Sequence, residues 1–139
     1  MMRAARDAAP TSTHVIGVTI MTSLDDADIH SVGYAPEKNT AEHVLSMSAL
    51  TRECGLDGVV CSPKDIVAVK QATSSDFLTI VPGIRPANVD VGDQKRVATP
   101  GAAVADGADV IVVGRAITKS EDPAAAAAAI FAEVEAARG

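Results

Sequence analysis

The chain has 139 residues, of which 47% are apolar and 22% charged, a balance that fits one globular domain and excludes disordered and fibrous classes. Its net charge of −6 argues against an extended nucleic-acid-binding surface, so we expect no nucleic-acid partner. A small anionic ligand stays compatible with this charge, because an acidic protein can still contain a local cationic pocket.

The first third of the chain predicts a helix end, a strand and a helix. Residues 1–9 are rich in Ala and Arg and lack an N-cap, so they are typical of the end of a helix whose beginning is absent. The β-branched run 14–22 predicts a buried strand, and the polar stretch 23–40 follows it. Thr40 can cap a helix over residues 41–54. Apolar residues recur in this helix at spacings of three and four: Ala41, Val44, Met47, Leu50 and Cys54.

The strand–helix pattern then repeats in the middle of the chain. Residues 58–62 predict a short strand, and a helix with Pro63 at its first position extends to about Ala72. We expect Lys64 and Asp65 to be residues of its first turn. The run 77–83 predicts the next strand.

The last third of the chain predicts a short helix over residues 99–108, a fourth strand over 110–113 and a final helix. Asp122 can cap this last helix, with Pro123 at its first helical position. Its alanine-rich sequence favours a packed helix over a flexible tail. The predicted inward face consists of Ile130, Phe131 and Val134.

The elements add up to four strand–helix units in one partial-barrel domain, at about 14–54, 58–73, 77–108 and 110–138 after the helix end 1–9. Strict alternation with continuous apolar strands predicts an α/β fold with a parallel sheet. A complete (β/α)8 barrel takes about 250 residues, so four units correspond to the carboxyl-terminal half of one. The alternative is an open sheet of flavodoxin type, which normally has a Gly-rich turn after its first strand, and none follows Thr22.

Cysteine usage and apolar run length indicate a reducing, aqueous compartment. Cys54 and Cys61 lack the spacing of a zinc site or a disulfide framework, so we expect reduced and mostly buried thiols. The longest apolar run, 15–21, is too short to span a bilayer, and the amino terminus lacks signal-peptide features. We therefore expect a cytoplasmic protein without a membrane partner.

Two strands end in a glycine followed by an arginine, at Gly83 to Arg85 and at Gly114-Arg115. A guanidinium binds phosphate oxygens through paired donors, and glycine lets the backbone approach them closely. Loops after the seventh and eighth strands of a barrel commonly hold phosphate, and these two motifs occupy those positions if the strands are a barrel's last four. The sequence therefore predicts a phosphate site.

Four segments carry a resemblance to a known family. They are VTIMTSLDD (18–26), GLDGVVCSPKD (55–65), VPGIRPANVDVGDQKRVATP (81–100) and GADVIVVGRAIT (107–118). Together they resemble orotidine 5′-monophosphate decarboxylase through the whole chain and in the right order. The resemblance implies a (β/α)8 barrel, usually a homodimer, that converts orotidine monophosphate to UMP and carbon dioxide in pyrimidine biosynthesis. It also implies that neither a metal nor an organic cofactor takes part.

The resemblance also assigns binding roles to individual residues. Arg115 and the backbone amide of Gly114 match the ligands of the 5′-phosphate, and Arg85 matches a binding arginine. Gln94 matches the glutamine that bridges phosphate and pyrimidine from a loop that closes over the ligand. Thr22 matches a binding threonine.

Ser23 and Pro82 are possible further contacts, Ser23 to the pyrimidine. Structural alternatives stay open at this point: a solvated charge for Arg115, a rim salt bridge for Arg85, and a simple turn for Thr22 and Ser23.

Other polar residues favour structural roles. Asp93, Lys95 and Arg96 are solvated charges or loop anchors in our interpretation, because they lie in a connection longer than usual. The histidines, His14, His30 and His43, show no metal-ligand spacing, so structural or solvent-facing roles are favoured.

The family's catalytic segment, D-x-K-x-x-D-I, has no counterpart in this sequence. We therefore expect no catalytic residue in the chain, no decarboxylation by the isolated chain, and binding of orotidine monophosphate or UMP as its contribution. A related sugar-phosphate decarboxylase barrel and a catalytically silent binding or assembly module are the alternatives.

The apolar strand runs 15–21 and 110–113 would form unpaired edges in half a barrel. We therefore expect a piece of a larger polypeptide, a truncated gene product, or a half barrel that associates as a homodimer or with the missing half.

Overall fold

A computed structural model describes residues 1–87 and 95–139 of the chain. Within them, four parallel strands form one sheet in the order β1-β2-β3-β4. The strands are β1 (Ile16–Val18), β2 (Gly58–Val60), β3 (Leu78–Val81) and β4 (Val110–Ile111). Sequential order in a parallel sheet is the arrangement of barrel strands, and it confirms the predicted α/β class.

Helices separate the strands. They are α1 (Met2–Ala8), α2 (Asp26–Ser31), α3 (Thr40–Glu53), α4 (Ile66–Ala72), α5 (Pro100–Ala105), α6 (Arg115–Thr118) and α7 (Pro123–Arg138), with a 3-10 turn at Pro63–Asp65 before α4. No helix in the described parts of the chain is both long and apolar enough to cross a bilayer.

The two faces of the sheet differ in burial. Val59 and Thr79 are fully buried, whereas Val18 is 69% exposed and Val110 48% exposed. Side chains alternate along strands, so one face is covered by helices and the other is open. Gly17 lies on the covered face, where a Cβ atom would lie 2.8 Å from the Thr51 hydroxyl of α3. This close approach places α3 directly against β1.

An aspartate precedes β2 and another precedes β4, and both accept hydrogen bonds from the neighbouring strand. Asp57 accepts from the Val15 amide (2.6 Å) and from Arg6 (2.8 Å). Asp109 accepts from the Thr79 amide (2.7 Å) and from Lys70 (2.7 Å). These bonds connect neighbouring segments at the amino-terminal ends of the strands.

Both carboxyl groups have a pKa below the ordinary value. For Asp57 the largest cause is the hydrogen bond from the Val15 amide. For Asp109, burial favours the neutral form, but the hydrogen bonds from Lys70 and Thr79 outweigh it and lower the pKa.

Local interactions produce a helix and a cap that the composition does not indicate. The stretch 23–40 contains α2, which begins with a capping box: the Asp25 carboxylate accepts from the Asp28 amide, and the Asp28 carboxylate accepts from the Asp25 amide. Asn39 rather than Thr40 caps α3, because its side chain accepts from the Glu42 amide at 2.9 Å.

Three residues of the predicted apolar faces, Ala41, Leu50 and Phe131, are exposed, so these predictions were wrong. Leu50 is 50% exposed, and the buried residues at that end of α3 are Ser48 and Thr51. The small side chain of Thr51 fits against Gly17, and its hydroxyl donates to the Met47 carbonyl of its own helix. Phe131 is 65% exposed, because the buried positions of α7 are Ile130 and Val134, four residues apart.

Candidate functional site

A pocket of about 390 Å³ lies at the carboxyl ends of the strands. In parallel α/β folds this is the edge at which ligands bind. Among the described residues, those that line it are Val18, Ile20, Met21, Thr22, Val60, Cys61, Pro82, Gly83, Arg85, Val112, Gly114 and Arg115. The structure therefore brings together Thr22, Pro82, Arg85, Gly114 and Arg115, all of which the sequence selects.

Arg85 follows β3 and is 8% exposed. Its guanidinium donates to the carbonyl of the preceding Ile84 at 2.8 Å. Among residues 1–87 and 95–139, no carboxylate forms a salt bridge with Arg85, so the described part of the chain gives no support to the rim salt bridge. A buried guanidinium with few protein acceptors has donors left for an anion in the pocket.

Gly83 allows the chain to turn sharply between β3 and Arg85. Its φ of 79° lies in the left-handed region, and an added Cβ atom would lie 2.9 Å from the Arg96 carbonyl and 3.4 Å from Thr22. Past the turn, the Arg85 amide donates to the Ala98 carbonyl at 2.9 Å. The glycine thus lets the turn at Gly83, the side chain of Thr22 and the backbone of Arg96 approach one another.

Gly114 and Arg115 lie where β4 gives way to α6. Nothing in the described structure lies within 4 Å of a Cβ atom built on Gly114, so protein packing does not require a glycine there. Gly114 lines the pocket, and without a side chain it leaves room for a ligand close to the backbone. Arg115 is exposed, as expected for a side chain at the mouth of the pocket.

Thr22 is 6% exposed and belongs to a turn in which the Leu24 amide donates to the Met21 carbonyl at 3.0 Å. A main-chain turn is therefore present at this position, and Thr22 lines the pocket as well. Ser23 lies in the same turn, is half-buried and does not line the pocket. Gln94 lies outside the described residues.

The remaining lining is mostly apolar. Val18 and Val60 belong to β1 and β2, and Val112 directly follows β4. Cys61 is buried, and burial, with a smaller contribution from the charge of Asp65, raises the pKa of its thiol to about 12. The pocket thus combines two guanidinium groups and a hydroxyl with an apolar floor, a pattern suited to an anion attached to a flat or apolar body.

A buried ion pair beside the pocket is a feature that the sequence did not indicate. Asp65 is a first-turn residue, as predicted, but its carboxylate also pairs with Arg96 at 2.9 Å. Both side chains are at least nine-tenths buried. The S-x-x-D pattern of Ser62 and Asp65 predicts a capping interaction, which is present, yet no local pattern identifies a partner 31 residues away.

Lys95 anchors the chain differently, through exposed ion pairs with Asp25 and Asp28, both at 2.7 Å. This interaction lowers the pKa of the Asp25 carboxyl to about 2. The histidines lie apart from the pocket, and the described residues contain no group of three His, Cys, Asp or Glu side chains placed to hold a metal ion.

The fold and the pocket define a parallel α/β protein of the TIM-barrel class, with a pocket at the carboxyl ends of the strands. A sequence profile described as "Orotidine 5′-phosphate decarboxylase / HUMPS family" matches residues 1–130. The chain belongs to this family.

Individual relatives agree with this assignment. The chain is 46% identical over 138 residues to an orotidine 5′-phosphate decarboxylase of Teredinibacter turnerae, covering 97% of this chain and 59% of the relative. It is 47% identical over 128 residues to the enzyme of the same name from Salmonella typhimurium, covering 89% of this chain and 51% of the relative. The chain thus spans less than two thirds of the length of these relatives.

Solved structures show the same partial coverage. The crystal structure of orotidine 5′-phosphate decarboxylase from Lactobacillus acidophilus superposes with a TM-score of 0.77 at 34% identity, covering 96% of this chain and 58% of that one. The decarboxylase structure from Sulfolobus solfataricus, at 20% identity and a TM-score of 0.66, supports the fold alone.

Proposed function

We propose that this chain is the nucleotide-binding part of an orotidine 5′-phosphate decarboxylase, and that its pocket binds orotidine monophosphate and the product UMP. The observation that carries the proposal is the meeting of Arg85, Arg115 and Thr22 at one pocket. The two guanidinium groups would bind the 5′-phosphate, and Thr22 would contact the nucleoside. No cofactor is part of the proposal.

The described residues of this pocket do not supply the groups that decarboxylation requires. Departure of carbon dioxide leaves a carbanion, which must receive a proton, and the described residues that line the pocket include no Asp, Glu, Lys or His. The Cys61 thiol, with a pKa raised to about 12, is a poor proton donor at neutral pH. We therefore propose that the chain alone binds nucleotide without turnover, and that catalytic groups come from a polypeptide segment not contained in it.

The open face of the sheet supports an associated state. Val18 and Val110 lie on the edge strands β1 and β4 and are largely exposed. Unpaired strand edges next to an apolar face favour pairing with further strands. We propose that the chain associates with a second copy or with the complementary half of a barrel in the cytoplasm, and analytical ultracentrifugation of the isolated chain tests this.

Calorimetric titration with UMP tests the binding proposal. Loss of a charge-assisted bond to phosphate weakens binding by about 10- to 100-fold, so we expect that effect for Arg115→Ala. Arg138→Ala is the matched control, because Arg138 lies on the exposed end of α7 beside Glu135 and away from the pocket. Absence of UMP binding at millimolar ligand, or equal effects of the two substitutions, would contradict the proposal.

Two further measurements separate the related activities. Ribose 5-phosphate should compete with UMP only weakly if the pocket recognises the nucleotide, and a stronger sugar-phosphate ligand would favour the sugar-phosphate branch of the family. Turnover of orotidine monophosphate by the isolated chain, followed by ultraviolet absorbance, would overturn the proposed inactivity.

A further inference from the structure

Arg96 connects the carboxyl ends of two strands from within the protein. Its Nη1 atom donates to the Asp65 carboxylate at 2.9 Å, beyond the end of β2. Its Nη2 atom donates to the carbonyls of Ile20 (2.9 Å) and Met21 (3.1 Å), beyond the end of β1. One planar guanidinium therefore fixes the spacing between the two strand ends.

Asp65 is itself held in place by its own turn. The Ser62 hydroxyl donates to the same carboxylate oxygen at 2.6 Å, and the Ser62 amide donates to it at 3.3 Å. In return, the Asp65 amide donates to the Ser62 carbonyl at 3.0 Å. The position of the Asp65 carboxylate is thus fixed by its own turn, and it determines where the Arg96 guanidinium lies.

The main chain adds a second connection at the same place. The amides of Lys95 and Arg96 both donate to the Thr22 carbonyl, at 3.1 Å and 3.3 Å. The carbonyls of Ile20 and Met21 and that of Thr22 are therefore all bonded to one short segment. Thr22 carries the hydroxyl that lines the pocket, so its position depends on this segment.

Stability alone is a weak explanation for this arrangement. A buried ion pair must recover the cost of removing two charges from water, and apolar residues of similar volume often stabilise a protein as well or better. In addition, the Nε atom of Arg96 is buried without an acceptor among the described residues, which adds a further cost. Five directed bonds between three chain segments are instead what fixing a geometry requires.

We propose that Arg96, oriented by Asp65, is a positioning residue that holds Thr22 in place to contact the nucleoside part of the ligand. This inference rests on the proposed function of the pocket. Arg96 does not touch the ligand. Its side-chain bonds run to Asp65 and to the end of β1, whereas Arg115 follows β4, at the opposite edge of the sheet. Loss of the Arg96 side chain should therefore disturb the Thr22 contact more than the phosphate contact of Arg115.

The test compares UMP with inorganic phosphate as probes of these two contacts. Arg96→Met and the nearly isosteric Asp65→Asn should weaken UMP binding by about 10-fold or more, on the scale of a lost charge-assisted contact, and leave phosphate binding within about twofold. Asp65→Glu, which keeps the carboxylate, should recover most of the UMP affinity. Lys64→Met is the matched control and should bind both ligands as the unmodified chain does, because Lys64 is exposed, adjacent to Asp65 and not among the described residues that line the pocket.

Amide resonances give a readout that does not depend on the ligand. In ¹⁵N–¹H spectra, the signals of Thr22, Lys95 and Arg96 should shift in Asp65→Asn, and that of Thr22 should stay in place in Lys64→Met. Circular dichroism selects the variants that fold, and Asp65→Asn provides the test if Arg96→Met does not.

The outcomes separate the two proposals. If the unmodified chain binds UMP but the folded variants bind it equally well, the positioning role is overturned and the proposed function stands. A parallel loss of UMP and phosphate binding also overturns the positioning role, because such a loss indicates that Arg96 supports the structure of the whole pocket. If the unmodified chain does not bind UMP at all, the proposed function fails and the positioning role falls with it.

Discussion

Replacing Gly58 by alanine should disrupt the centre of the sheet. A Cβ atom on Gly58 would lie 2.3 Å from the Leu78 carbonyl oxygen and 2.6 Å from the Leu78 Cβ atom, whereas real Cβ contacts are almost never below 3.0 Å. The two strands must separate by at least about 0.7 Å at this point. The movement involves backbone on both sides, so no side-chain rotation can relieve it.

The expected cost is about 3 kcal/mol. Overpacking of a closely packed site costs about 1–3 kcal/mol, and weakening the bond from the Leu78 amide to the Asp57 carbonyl (2.9 Å) adds about 1 kcal/mol. With a urea dependence of about 2 kcal/mol/M, the midpoint of unfolding should fall by about 1.5 M.

Gly17→Ala is the matched control, because Gly17 lies on the adjacent strand and its new Cβ atom would meet the Thr51 side chain at 2.8 Å. That side chain can rotate, so the cost should be about 1 kcal/mol or less. Urea unfolding followed by circular dichroism measures both values. Equal destabilisation by the two substitutions, within about 0.5 kcal/mol, would refute the reasoning.

Three further predictions follow from single groups. Asp109→Asn should lower the free energy of unfolding at pH 7 and make it depend less on pH. A carboxyl group with a lowered pKa stabilises the fold above its ordinary pKa, and this contribution is lost as the pH falls through the folded-state pKa. Urea unfolding at pH 7 and pH 3 checks this, and an unchanged acid dependence would contradict it. In native protein at pH 8, a thiol reagent should modify Cys61 far more slowly than the half-buried Cys54, because burial keeps the Cys61 thiol protonated. The variant Cys54→Ser gives the rate of Cys61 alone, and equal rates for the two thiols would contradict the prediction. Asp122→Ala removes the acceptor of the Ala125 amide (3.0 Å) at the start of α7 and should cost about 1 kcal/mol, which thermal unfolding measures; no loss would mean that water replaces the cap.

The order of strands and helices was predictable because each element has a local signal. Pro123 and Asp122 define the start of α7, and β-branched runs define the strands. Helix α2 was not predicted, because its stability depends on the reciprocal bonds of Asp25 and Asp28 in a stretch that is polar overall. Burial on α3 was predicted incorrectly at Leu50, because the sheet beneath that helix contains a glycine that selects small residues.

The pocket was predictable for a different reason. Arg85 and Arg115 each follow a strand of a parallel sheet, and the carboxyl ends of such strands meet at one edge. The partner of Arg96 was not predictable in this way, since nothing in the local sequence specifies that its guanidinium turns inward to Asp65. Directed contacts between segments that are distant in the sequence can be identified only from the tertiary structure.

The aspartates at the amino-terminal edge of the sheet have a consequence for folding order. Asp57 joins the start of β2 to the residue preceding β1 across 42 positions, and Asp109 joins the start of β4 to β3 across 30 positions. Each bond links one strand–helix unit only to its neighbour. The chain segments that must come together during folding are therefore separated by few residues compared with the length of the chain. The sheet can therefore grow one unit at a time as the polypeptide leaves the ribosome, with each new strand registered on the last.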